Sequence, residues 1–144
     1  MLPIGPPMEI FLAFKGAHAH QLWARVGPDW ICPCCKRTKY QLMCWTKRAP
    51  NTPQAFMDWI AVLHTHHDHS VEFWERRAPR FEEAVICHQC NVADGQAKRK
   101  LQLPKNFSFS PEEIAMFVSA TPHAPHKYDL AIAKRLYEST LAGS

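Results

Sequence analysis

The chain of 144 residues has no apolar stretch long enough to cross a bilayer, no internal repeat and no low-complexity tract. Met1 to Lys15 carries no basic leader, and its apolar run, Ile10 to Phe14, is too short for the core of a secretory signal. These absences argue against a membrane or exported protein and lead to the expectation of a cytoplasmic one. An excess of one charge is nearly absent too: 17 Lys and Arg stand against 13 Asp and Glu, for a net charge of +4 and a pI near 8.8. A polyanionic partner must therefore be argued from where the cations sit.

They sit in patches. Lys36 to Arg48 holds five cations and no acid, and Arg76 to Lys105 holds seven cations against Glu82, Glu83 and Asp94. A solvated face is the plain alternative for each run. Hydrophobic residues make up 47% of the chain, enough at this length for one modest core, so residues 1–144 are expected to form a single domain. Six cysteines could form disulfides in a secreted protein. Without an export signal, two Cys-x-x-Cys pairs favour thiolate–metal chemistry instead.

Along the chain, Met1 to Pro7 reads as an irregular arm. The spacing of Ile10, Phe14, Ala17 and Leu22 predicts one amphipathic helix over 8–25, interrupted in composition by Gly16 and closed by Gly27-Pro28. Cys32 to Arg37 has the form of a knuckle turn, Tyr40 to Thr46 alternates like a strand, and Ala49 to Pro53 reads as a loop. A strand is expected to end near His66, a short one over Ala84 to Ile86, and a helix over Asn91 to Lys100. Ser110-Pro111-Glu112-Glu113 is a capping box with proline at the first helical position, opening a helix to about Ser119. A Pro/His linker then leads to a last helix ending near Leu141.

Cys32, Cys35, Cys87 and Cys90 have the spacing that wraps two turns around one tetrahedral zinc. Four thiolates would close the coordination shell, so the site would be structural. Cys34 is a further candidate thiol, and Cys44, in an apolar strand, is expected in the core. Fifty-one residues separate Cys35 from Cys87. The zinc would tie the early turn to the late one and enclose the stretch His64-Thr65-His66-His67-Asp68-His69.

That stretch, followed by Ile86-Cys87-His88-Gln89-Cys90-Asn91 and a helix continuing Ala93-Asp94-Gly95-Gln96-Ala97-Lys98, resembles the HNH endonucleases of the ββα-metal (His-Me finger) superfamily, in their zinc-knuckle form. The resemblance covers roughly residues 30–105. It implies a small zinc-stapled ββα-metal finger; with the N-terminal helix 8–25 and the C-terminal helical extension 110–141, read from spacing and capping, the chain is expected to be α+β. His66 would be a ligand of a catalytic Mg²⁺ or Mn²⁺ and His67 the general base, with Asn91 a second ligand or a residue that orients the base. An alternative register makes Asp68 the ligand and His69 the base. Asp94 would be a further ligand or a clamp on a histidine. Lys98, with Arg76, Arg77, Arg80, Arg99 and Lys100, would contact DNA phosphates. The family's final helical histidine is absent, so Asn91 or Asp94 must stand in for it. Thirty residues precede His66 after Cys35, which makes Pro50 to Trp59 an insertion of unassigned purpose.

The chemistry agrees with the resemblance. A neutral imidazole can take a proton from water at physiological pH, and a hard divalent ion held by few protein ligands can stabilise charge on a phosphate and its leaving oxygen. The expected activity is metal-dependent hydrolysis of duplex DNA. The competing reading is a non-catalytic zinc-stapled nucleic-acid-binding domain with inert histidines. A cutter of both strands would most simply be a two-fold homodimer.

Overall fold

The computed structural model describes residues 4–17, 20–71 and 77–142. Its first departure from expectation is the N-terminal helix. The segment 8–25 forms two short helices, α1 (Met8–Ala13) and α2 (His20–Arg25), because Gly16 adopts φ of 100°, left-handed backbone that no right-handed helix contains. Apolar periodicity continued across the glycine, but the backbone did not. Phe14 then packs edge-on against Trp23 at 4.9 Å, folding one helix towards the other.

Beyond the knuckle a second expectation fails. Tyr40 begins no strand: Thr38 caps α3 (Lys39–Leu42) in a capping box, its hydroxyl accepting from the Gln41 N–H while the Gln41 side chain accepts from the Thr38 N–H. Two satisfied backbone donors outweigh a few alternating residues. The strand starts later, as β1 (Cys44–Arg48), and pairs antiparallel with β2 (Phe56–Ile60), Trp45 opposite Trp59 and Lys47 opposite Met57. The segment that looked like an insertion is thus the turn and return strand of a hairpin.

β3 (Leu63–His66) and β4 (Ala84–Cys87) form a second antiparallel pair, from Leu63 opposite Cys87 to His66 opposite Ala84. The strand ends at His66, as expected. Helix α4 (His88–Lys100) follows β4 without a spacer, three residues earlier than its composition suggested, and its His88 N–H donates to the Val62 carbonyl at 2.8 Å. The expected capping box at Ser110 is present with both of its bonds and opens α5 (Pro111–Phe117). A minimal pair, β5 (Val118–Ser119) with β6 (Lys127–Tyr128), brings the chain to α6 (Leu130–Ala142), which packs on α5.

The architecture is therefore α+β: among the described residues, three two-stranded antiparallel sheets with helices between and around them. Met43, Leu63, Ile86, Phe109, Ile114 and Phe117 are buried at the centre. Truncating either phenylalanine to alanine would cost about 3–5 kcal/mol. Cys44 is only half-buried, at the wall of a cleft, and not in that core. Among the described residues, no helix is long and apolar enough to cross a membrane.

Candidate metal centre and histidine loop

Two turns meet at the cysteines. Cys32 opens the knuckle, whose Lys36 N–H donates back to the Cys32 carbonyl at 2.9 Å, and Cys87 ends β4 as the N-cap of α4, with Cys90 one turn further on. The ligand atoms of Cys32, Cys35, Cys87 and Cys90 all lie within 4.8 Å of one another, the only such convergence of three or more His, Cys, Asp or Glu among the described residues. Cys32 Sγ is 3.8 Å from Cys90 Sγ, and Cys35 Sγ is 3.8 Å from Cys87 Sγ. A tetrahedral zinc with Zn–S bonds of about 2.3 Å sets its sulfurs about 3.8 Å apart, so this donor set fits zinc in both chemistry and spacing.

Crowding divides the sulfurs: Cys32 and Cys35 are pulled down while Cys87 and Cys90 are pushed up. Hydrogen bonds from Cys34, Cys35, Cys87 and Cys90 drive the Cys32 thiol far below its ordinary pKa, whereas Cys87 is pushed up by Cys32 and Cys35, as expected when close sulfurs share too few protons. A bound cation would relieve that competition. Arg37 is 4% exposed and directs its guanidinium at the cluster, Nε to Cys35 Sγ at 3.4 Å and Nη2 to Cys87 Sγ at 3.7 Å, while Nη1 donates to the Thr121 and Ala124 carbonyls. Burial works against its charge, yet the two sulfurs outweigh that and hold its pKa above the usual value. Buried His126 lies with Nε2 3.2 Å from Cys90 Sγ, and its Nδ1 has no partner. Sequence reasoning assigned Arg37 and His126 no role. Arg37 could have been suspected from its place beside the knuckle; nothing local marks His126. Cys34 is buried beside Cys32 and Cys90 but stands outside the converging four.

The histidine loop is built differently. His66, the last residue of β3, is buried and stacks on Phe81 with ring centroids 5.3 Å apart. Its Nε2 lies 2.7 Å from the Phe109 carbonyl oxygen, an acceptor only, so Nε2 carries a proton and donates it there. Phe109 is held in turn: its N–H donates to Asp94 Oδ1 at 2.9 Å, and the other Asp94 oxygen pairs with Lys98 at 3.1 Å. Asp94 thus reaches a histidine through Phe109, a connection nothing in the sequence announces.

His67 and His69 are exposed, with ring centroids 4.1 Å apart. His69 is held below its usual pKa, first by burial and then by His67, Lys98 and His66, against the pull of Asp94. The fold therefore brings His66, His67, His69, Asp94 and Lys98 to one end of the β3–α4 unit. Asn91 is half-buried in the first turn of α4. Asp68 is committed to the loop: Oδ1 accepts from the Ser70 N–H and hydroxyl and Oδ2 from the Arg80 N–H.

The expected phosphate contacts separate into groups. Arg80 is engaged structurally, its guanidinium spanning the Glu113 carboxylate at 2.9 Å and reaching the Ser108 carbonyl, since a bidentate pair beside the α5 cap competes with solvent. Arg77 donates to the Ser70 carbonyl. Arg99 and Lys100 are exposed near the far end of α4, Lys100 over the Tyr128 ring. Arg76 lies outside the described residues.

No protein-family model matches this chain, and neither does any curated protein or solved structure with which it was compared.

Proposed function

We propose that the chain is a metal-dependent endonuclease of the HNH, ββα-metal type, in which a structural zinc holds a phosphodiester-hydrolysing finger together. The observation that carries this reading is the anchored His66. It ends the first strand of a strand–strand–helix unit with Nε2 bonded to a backbone carbonyl, so that Nδ1 is the ring nitrogen left for a ligand, beside two exposed histidines and a lysine. Metal-ligating histidines characteristically donate their second ring nitrogen in this way.

Zinc would be held by Cys32, Cys35, Cys87 and Cys90, joining the knuckle to the N-terminus of α4. His66 Nδ1 and the Asn91 amide oxygen would hold Mg²⁺ or Mn²⁺, whose chemistry is to stabilise charge on the phosphate and leaving oxygen. His67 acts as the general base: it takes a proton from water as the oxygen–phosphorus bond forms and the bond to the 3′ oxygen breaks, leaving a 5′-phosphate and a 3′-hydroxyl. Lys98 steadies the phosphate. Asp94 positions His66 through Phe109 and is no ligand, because both its oxygens are engaged. Asp68 shapes the loop for the same reason, which ranks the Asp68/His69 register second. A specific observation also favours His66 itself as the base, since a base held by a third group is the common arrangement. The substrate is DNA in duplex form, met by two copies of the chain where both strands are cut.

The test is plasmid nicking by zinc-loaded protein with Mg²⁺ or Mn²⁺, with and without EDTA, beside His67→Ala and His66→Ala. Metal-dependent nicking lost in His67→Ala supports the assignment. Nicking retained there but lost in His66→Ala moves the base to His66. Folded, zinc-loaded protein that cuts no plasmid, branched DNA or RNA under any metal would leave a zinc-stapled binding domain.

A further inference from the structure

The loop 120–126, which joins β5 to β6, is fastened to the rest of the chain in two ways. His123 fixes its middle without touching sulfur: its N–H donates to the Gln41 carbonyl and its Nδ1 to that of Met43, both at 2.8 Å. The other attachments pass through the cysteine cluster. Arg37 Nη1 donates to the Thr121 and Ala124 carbonyls, both at 3.1 Å. The His126 ring lies against Cys90, and its backbone N–H donates at 3.4 Å to Gln89 Oε1, one residue before that cysteine.

Arg37 is the centre of this arrangement. Its two remaining bonds go to one cysteine of each Cys-x-x-Cys pair, Cys35 in the knuckle and Cys87 at the N-cap of α4. One planar fork therefore joins three segments far apart in sequence, a geometry that a lysine ammonium does not reproduce. A divalent ion with four thiolates carries two net negative charges. Buried without a countercharge it is costly, and so is a buried guanidinium; placed together, each offsets the other. Charge-assisted hydrogen bonds also draw electron density from a metal-bound sulfur. Cys35 is the partly exposed member of the four, so it is the edge that a chelator reaches first.

We propose that Arg37 is a positioning residue of the metal centre: it neutralises part of the charge on Cys35 and Cys87 and, through that charge, fastens the β5–β6 loop to both Cys-x-x-Cys turns. The centre then gathers three segments instead of two, and the order of the loop depends on the metal. Arg37 also slows loss of the ion at the accessible Cys35 edge. The proposal rests on the four-thiolate centre and is independent of the cleavage reading.

The experiment uses the full chain reconstituted with Zn²⁺ or, as a spectroscopic probe, Co²⁺, and compares wild type with Arg37→Gln, Arg37→Lys and Lys36→Gln. Lys36 is the exposed neighbour whose Nζ donates to the Pro33 carbonyl at 2.7 Å, so its variant removes a cation and a knuckle bond without touching sulfur. In Arg37→Gln the thiolate-to-cobalt charge-transfer band should move to lower energy, and zinc affinity in a chelator competition should fall about 10–100-fold. Amide exchange over 120–126, followed by mass spectrometry on zinc-loaded protein, should speed up about tenfold or more as the charge-assisted bonds are lost. Arg37→Lys should restore most of the band position, because the charge returns, but not the protection of the loop, because the fork does not. Lys36→Gln should match wild type in all three readouts. A loop that loosens with no change in band or zinc affinity would make Arg37 a packing residue and overturn the proposal. An Arg37→Gln protein that matches wild type, or a Lys36→Gln protein shifted as far, would overturn it too. Should Arg37→Gln not fold, Arg37→Lys takes its place: rapid loop exchange beside a wild-type band supports the proposal, and wild-type protection overturns it. A chain that takes up neither metal refutes the four-thiolate centre and the proposal with it, whereas failure to nick plasmid bears only on the cleavage reading.

Discussion

The cysteine cluster and the histidine loop lie at opposite ends of the β3–β4 pair, Cys87 opposite Leu63 and His66 opposite Ala84, and are built on opposite plans. Cys32, Cys87 and Cys90 are buried, their sulfurs converge, and Arg37 and His126 close the surroundings. In the loop only His66 and Asp68 are buried, each held by its own backbone partner, while His67 and His69 face solvent. A metal that supports a fold needs all its ligands and no vacancy. A site that handles a large substrate must leave some groups open, so its order comes from anchors beneath them. The difference teaches that convergence suits a metal that holds a fold, and that anchored exposure is what the proposed nuclease site would need.

The comparison breaks most completely at Cys90. Cys90→Ala should abolish the folded state, because structural zinc contributes roughly 10 kcal/mol or more, comparable to the whole stability of a domain. Circular dichroism with a zinc assay checks it; a folded variant with its cooperative melt intact would refute the structural centre. His67→Ala, at the exposed end, should leave zinc content and melting unchanged while cleavage falls about 10²–10⁴-fold in single-turnover assays.

Smaller effects sharpen the contrast. Asp94→Ala should release the Phe109 N–H and Lys98 together and destabilise by about 1–3 kcal/mol in urea titrations, with cleavage reduced more than stability explains. Were cleavage per folded molecule unchanged, Asp94 would be a brace with no link to His66. Asp68→Asn should cost about 1 kcal/mol near neutrality. Burial works against the Asp68 carboxylate, but donors from Arg80 and Ser70 outweigh it and hold its pKa below the ordinary 3.8. Its contribution is therefore complete above the normal carboxylate range and disappears as pH falls through the depressed folded value. The gap between wild type and variant, read from unfolding midpoints, should be constant from pH 7 to about pH 5 and close in stronger acid; a gap that widens there would contradict the assignment.

Legibility followed distance along the chain. The Ser110 capping box, the end of β3 at His66 and the pairing of two Cys-x-x-Cys turns depend on residues a few positions apart or on a rigid chemical preference, and each could be read directly. The N-terminal helix misled because periodicity counts side chains and ignores the backbone conformation Gly16 adopts. The Tyr40 strand misled because a four-residue capping box, Thr38 to Gln41, decided the local outcome. The role of Pro50 to Trp59 was hidden because strand pairing is non-local: Arg48 meets Phe56 only after the turn has formed.

Two Cys-x-x-Cys pairs, adjacent histidines and a net basic balance are properties of order and composition, so any fold of this chain would inherit them. What the tertiary structure alone decided is which groups remain available. His66 is separated from Phe109 by more than forty residues, and Cys90 from His126 by 36 positions, yet a carbonyl and an imidazole arrive within hydrogen-bond reach of them. Arg80 finds Glu113 by the same route and Asp94 finds the Phe109 N–H. The physical reason is that burial of a polar group requires a partner, and the partner is chosen by how helices and strands pack, information that no short stretch of sequence contains.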